Sequence, residues 1–199
     1  MTKIKICGIS RLCDIDYANE LKPDYVGFVF AKSRRQITRE HAITLRMNLD
    51  PEIPIVGVFA NELPKIVGAY AEDGIIDIVQ LHGQEDETYV HNLRYQTGCE
   101  IIQAFSIQTE EDVRRACESS ADYILLDHGA GGTGQSFDWE LIGNIDRPWF
   151  LAGGLNPDNV AEAVKNRNPF GLDISSGVET DGFKDRQKME RCIRRIRHV

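Results

Sequence analysis

The sequence predicts an α/β chain folded as one (β/α)8 TIM barrel, a single domain over 1–199 built on a parallel eight-stranded barrel. Two observations carry that expectation. Eight short runs rich in β-branched and aromatic residues recur at steps of 21 to 29 residues, and each interval has room for about three turns of helix and two short loops. Runs such as Tyr25–Phe30 and Tyr123–Leu126 are apolar throughout instead of alternating, the pattern of parallel strands covered on both faces.

In chain order the runs are Lys3–Ile9, Asp24–Phe30, Ile53–Ala60, Asp77–Leu81, Glu100–Ser106, Asp122–Asp127, Pro148–Ala152 and Gly171–Ser175. A helix is expected in every interval. Between the fifth and sixth runs Thr109-Glu-Glu-Asp112 reads as a capping box. Between the seventh and eighth, Asn156-Pro157-Asp158 sets a capping residue before a proline at the first helical position. The last segment, Lys184–Arg197, carries 7 basic residues against Asp185 and Glu190, and Met189, Ile193 and Ile196 share one helical face. It reads as the final barrel helix with cations on its solvated side. Eight units could also spread as an open doubly wound sheet, but the count favours closure. The 199 residues sit near the lower end of the ~200 to more than 400 typical of barrels, so little length is expected to remain for an extra domain, a long lid or decorations.

Composition narrows the partners. With 23 Lys+Arg against 31 Asp+Glu the formal net charge is −8, which argues against nucleic acid or an anionic membrane surface. No apolar run approaches the ~20 residues that span a bilayer, and the first residues lack the apolar stretch of a secretory leader, so a cytoplasmic protein acting on a small molecule is expected. The five cysteines are an odd number with no C-x-x-C pair, so reduced thiols and no metal site are expected.

In such a barrel the chemistry belongs at the C-terminal ends of the strands. Here those ends are polar or glycine-rich: Cys7-Gly8, Lys32-Ser-Arg-Arg35, Gln80-Leu-His82-Gly83, Asp127-His128, Gly153-Gly154 and Asp173-Ile-Ser175-Ser176-Gly177 among them. Gly153 and Gly154, with Ser175, Ser176 and Gly177, bring backbone N–H groups to the pair of loops that often holds phosphate. Cys7 and Asp127 can face one small ligand across the mouth as a base and an acid. Their plainer readings are a buried strand cysteine and an ion-paired or loop-capping aspartate. Useful proton transfer at neutral pH asks for a lowered thiol pKa, for which Lys3, Lys5 or a backbone dipole are candidates. Arg34 and Arg35 with Lys32 suit a ligand carboxylate. His82 is placed to orient a ligand or to hydrogen-bond locally. Gly129-Ala-Gly-Gly-Thr-Gly134 fits a dinucleotide pattern, yet it arrives after five βα units and lacks an acid at the end of the next strand. It reads better as a glycine loop over the mouth.

These residues resemble the phosphoribosylanthranilate isomerase family of tryptophan biosynthesis along almost the whole chain. The similarity runs through Lys5-Ile-Cys7-Gly8, Val26–Phe30, Lys32–Arg35, Val79–Gly83, Leu125–Asp127, Gly131–Gly134, Leu151–Pro157 and Asp173–Glu179. The resemblance implies a cofactor-independent Amadori rearrangement of an aminoaldose to an aminoketose, with Asp127 as general acid and Cys7 as general base. It also implies that Arg35 meets the anthranilate carboxylate, that Asp173 meets a sugar hydroxyl, and that Gly154, Ser175 and Ser176 bind phosphate. Two departures from the family pattern are Arg34, where proline is common, and His128, where a small residue is common. The competing expectations are the histidine-pathway aminoaldose isomerase and a non-catalytic barrel that binds RNA. The former would be expected to use an aspartate on the first strand. A monomer and a homodimer are both compatible with the sequence.

Overall fold

Eight strands close into a parallel barrel in sequence order: β1 (Lys3–Cys7), β2 (Tyr25–Val29), β3 (Ile55–Phe59), β4 (Ile78–Leu81), β5 (Glu100–Ser106), β6 (Tyr123–Asp127), β7 (Trp149–Leu151) and β8 (Gly171–Ile174). The computed structural model describes residues 1–127 and 139–199. Closure comes from β1 against β8, where Lys3 stands opposite Gly171 and Lys5 opposite Asp173. Alternate strand residues fill separate apolar clusters, a small one of which joins Cys7, Val29 and Val58. Val56, Ile78, Ile102, Leu125 and Phe150 pack inside the barrel with Tyr25, Tyr123 and Phe170 against them. Ile4, Phe28, Ile55, Val79, Ile124 and Leu172 belong to the larger cluster between strands and helices. Both faces of each strand are thereby covered, which accounts for the unbroken apolar runs.

The helices are α1 (Leu12–Leu21), α2 (Arg39–Asn48), α3 (Pro64–Glu72), α4 (Glu87–Thr97), α5 (Glu110–Cys117), α6 (Val160–Arg167) and α7 (Arg186–Arg197). Their starts follow local chemistry. The capping box at α5 is present, with Asp112 N–H donating to Thr109 Oγ1 at 3.3 Å and Thr109 N–H to Asp112 Oδ2 at 2.9 Å. Met189, Ile193 and Ile196 of α7 are buried together with Cys192.

Three local expectations change. The helix after β7 starts at Val160, because Asn156 first closes a turn by accepting the Asp158 N–H at 2.8 Å and the Val160 N–H on its carbonyl at 3.3 Å. Between β6 and β7 the described residues form one short 3₁₀ turn, Trp139–Leu141, instead of a helix. Lys184 is not on the solvated side of the last helix. It belongs to a two-stranded hairpin, β9 (Glu179–Thr180) with β10 (Phe183–Lys184), and is buried. Asp181 and Gly182 turn that hairpin, both with positive φ (53° and 83°), the requirement of a tight two-residue turn. Arg11 pins it, donating to the Lys184 carbonyl at 2.8 Å and lying over the Phe183 ring.

Candidate active site

The strand ends enclose a cavity of ≈ 250 Å³. Cys7 reaches it from β1, Arg35 from the loop after β2, His82 from the loop after β4 and Asp127 from β6. Gly153 and Gly154 follow β7, and Asp173, Ser175 and Ser176 complete it from β8 and its loop. Lys32 and Gln80 line it as well. Gly177 does not. A Cβ there would lie 1.9 Å from the Leu155 carbonyl oxygen, so Gly177 is where the loop after β8 presses against the loop after β7.

Cys7 is buried at the end of β1, and its sulfur needs the bare backbone of β2 beside it. A Cβ on Gly27 would come within 2.8 Å of Sγ. Burial is the largest influence on the thiol and pushes its pKa up; Asp173 adds to that, while Lys5 and Lys184 pull it down. Lys5 has no exposed surface, and its Nζ donates to Asp173 Oδ1 at 2.9 Å. Burial opposes its charge, but Asp173 and Cys7 outweigh burial and hold the ammonium above its ordinary range. Of the two lysines the sequence offered for the thiol, Lys3 instead pairs with Asp24 at 2.8 Å.

The β9–β10 hairpin delivers a second ionic cluster. Glu179 accepts from Lys184 Nζ, Arg35 Nε and Arg34 Nη2, each at 2.7 Å. Burial alone would raise the Glu179 pKa, but Arg35 and Lys184 hold it below the ordinary range. The Lys184 pKa is lowered by burial in spite of Glu179. Arg35 also donates from Nη2 to Glu179 at 3.0 Å, so Glu179 takes its Nε–Nη2 edge and the Nη1–Nη2 edge remains for a second carboxylate. The side chain reaches that pose by crossing Gly8, where a Cβ would sit 2.4 Å from Arg35 Cδ.

Toward Asp127 the arrangement differs. His82 Nε2 lies 3.5 Å from Asp127 Oδ2, and Gln80 Nε2 lies 3.1 Å from His82 Nδ1. An amide N–H donated to Nδ1 leaves the ring proton on Nε2, facing the carboxylate. Gln80 Oε1 is buried with no hydrogen-bond partner among the described residues. In the glycine loops, Gly153 and Gly154 have φ of 83° and 65°. Ser175 Oγ donates to the Cys7 carbonyl at 3.0 Å, which ties the loop after β8 to β1 and leaves the Ser175 N–H, not its hydroxyl proton, for an anion. The departure at His128 and the Gly129–Gly134 loop lie outside the described residues.

Lys184 and Glu179 are the site groups that residue-by-residue reading of the sequence did not single out. The available signal was Asp181-Gly182, a two-residue hairpin turn between Thr180 and Phe183.

The model of the family described as N-(5'-phosphoribosyl)anthranilate (PRA) isomerase matches residues 4–195. The chain belongs to that family. It is 44% identical to the N-(5'-phosphoribosyl)anthranilate isomerase of Thermoanaerobacter sp. (strain X514), over all of both chains. Among solved structures it resembles a phosphoribosyl anthranilate isomerase in complex with reduced 1-(o-carboxyphenylamino)-1-deoxyribulose 5-phosphate, at a TM-score of 0.85 and 34% identity over all of both chains. It also resembles monomers generated from the dimeric phosphoribosylanthranilate isomerase of Thermotoga maritima, at a TM-score of 0.89 and 36% identity, again over all of both. As a phosphoribosylanthranilate isomerase it is an aldose–ketose isomerase of tryptophan biosynthesis. Among the described residues no helix is long and apolar enough to cross a membrane, and no group of three or more His, Cys, Asp or Glu could hold a metal ion.

Proposed function

We propose that Cys7 is the general base and Asp127 the general acid of a cofactor-independent Amadori rearrangement, from N-(5-phosphoribosyl)anthranilate to 1-(2-carboxyphenylamino)-1-deoxyribulose 5-phosphate. Asp127 gives its proton to the furanose ring oxygen as the C1′–O bond breaks, and the nitrogen lone pair forms the iminium. Cys7, as thiolate, takes the proton from C2′; the C–H electron pair becomes the C1′–C2′ double bond and neutralises the iminium. The resulting enolamine tautomerises to the ketone. An iminium is already an electron sink, so a proton donor and an acceptor meet the chemical demand.

The observation that carries this reading is that Cys7 and Asp127 line one cavity, flanked by groups suited to both ends of the ligand. The open edge of Arg35 receives the anthranilate carboxylate. Asp173 meets a sugar hydroxyl, and His82 orients Asp127 and the ligand beside it. Backbone N–H groups of Gly153, Gly154, Ser175 and Ser176 hold the phosphate, with Gly177 keeping the two loops together. The chain acts as a single catalytic domain over 1–199, in the cytoplasm, as a monomer or homodimer. The histidine-pathway reaction is disfavoured by a cysteine in place of an aspartate at position 7 and by the guanidinium fork of Arg35.

The test is loss of fluorescence of freshly generated phosphoribosylanthranilate, with product confirmed chromatographically. Wild type should consume it well above spontaneous hydrolysis, while Cys7→Ala and Asp127→Asn should not. A Cys7→Ala protein that keeps most of its kcat overturns the assigned base.

A further inference from the structure

We propose that Lys5 is the positioning residue that makes Cys7 usable as a base: a buried ammonium on the same face of β1, two residues below the sulfur, anchored by Asp173 and set to hold the thiolate once it forms. This rests on the reading of Cys7 as the base.

A lysine with no exposed surface inside a barrel needs a reason. Packing alone is served better by Leu or Met, because a buried charge is costly unless paired. Lys5 is paired, at 2.9 Å, and its partner Asp173 stands opposite it in the β1–β8 register while lining the cavity. The pair therefore forms a charged floor under Cys7. The groups acting on the thiol are Lys5 from β1, Asp173 from β8 and Lys184 from β10. Lys184 in turn touches Glu179, which holds Arg35 and the mostly exposed Arg34. Asp127 faces Cys7 across the cavity from β6. Lys5 offsets Asp173, and Lys184 is the second cation that favours the thiolate. Without Lys5 the Asp173 carboxylate, which opposes ionisation of the thiol, would lose its cation.

In the catalytic cycle the thiol proton leaves to solvent and Lys5 keeps all of its own. The thiolate then takes the C2′ proton as the C–H pair moves into the C1′–C2′ bond. Lys5 touches no reacting atom of the ligand.

The test is the pH dependence of iodoacetamide alkylation at Cys7, followed on the Cys7-containing peptide by mass spectrometry in wild type, Lys5→Met, Lys5→Gln and Lys5→Arg. Lys5→Gln keeps an amide donor for Asp173 and guards against loss of the fold, which circular dichroism checks. Both neutral variants should move the alkylation midpoint up by at least about one pH unit, a tenfold loss of thiolate at neutral pH. The rising limb of kcat against pH should move with it. Lys5→Arg should restore the midpoint. Folded neutral variants with the wild-type midpoint and kcat profile overturn the proposal, and so does Lys5→Arg shifted as far as Lys5→Met. Turnover retained in Cys7→Ala would instead sink the base assignment itself.

Discussion

Around Cys7 the neighbours are ions, Lys5 against Asp173 and Lys184 with Arg35 against Glu179, whereas toward Asp127 strand β4 and its loop supply an amide and an imidazole, Gln80 and His82. The contrast matches the two proton transfers proposed for these residues. A thiol becomes a base only if its anion is stabilised, and buried ammonium groups do that. At Cys7 the two lysines work against burial, which still holds the thiol pKa above its ordinary value.

The sharpest way to break the comparison is to remove each pole. Cys7→Ala and Asp127→Asn should each lower kcat by about 10²–10⁴-fold, with affinity for the reduced product analogue little changed, because the proposed carboxylate and phosphate anchors stay in place. Steady-state kinetics beside equilibrium titration checks both halves. Next is Gly27→Ala, which forces a methyl to within 2.8 Å of the Cys7 sulfur. Displacing the proposed base should cost up to about 100-fold in kcat, and the overpacked strand about 1–3 kcal/mol in denaturant unfolding. Arg35→Lys loses the planar fork that pairs with Glu179 and is proposed to meet the ligand carboxylate as well. KM should rise about 10–100-fold with a smaller change in kcat.

Smaller effects sharpen the electrostatics. The folded-state pKa of Glu179 is held below its ordinary 4.5, so its ion pairs contribute stability that is fully present above that pH and fades as pH falls through the lowered value. Thermal unfolding of wild type should lose that increment on acidification, and Glu179→Gln should lack it already at neutral pH. Smallest, Gln80→Met removes a donor to His82 and a buried acceptor without a partner at once. Its kcat should fall less than about tenfold.

The eight strands were legible because each is covered on both faces and each ends in polar or glycine residues. The mouth was legible for the same reason, since the end of a strand is a position that a sequence shows. Depth inside the barrel is not. Lys5 sits in the same pleat as Cys7, and nothing in its neighbours reveals that Asp173, 168 positions away, faces it. Lys184 was hidden differently: a strand of two residues has no period, so it merged with the basic helix that follows. The later start of α6 reflects competition within one short segment, where the Asn156 side chain closes its own turn before the helix can begin.

Gly177 carries a consequence for anyone who would re-engineer the ligand. The space for even one methyl group is taken by the Leu155 carbonyl, so the two glycine-bearing loops are inherited as a pair. Transplanting either loop alone onto another barrel would leave its partner surface mismatched, and a functional graft has to carry Gly153 through Gly177 as one unit, strand β8 included.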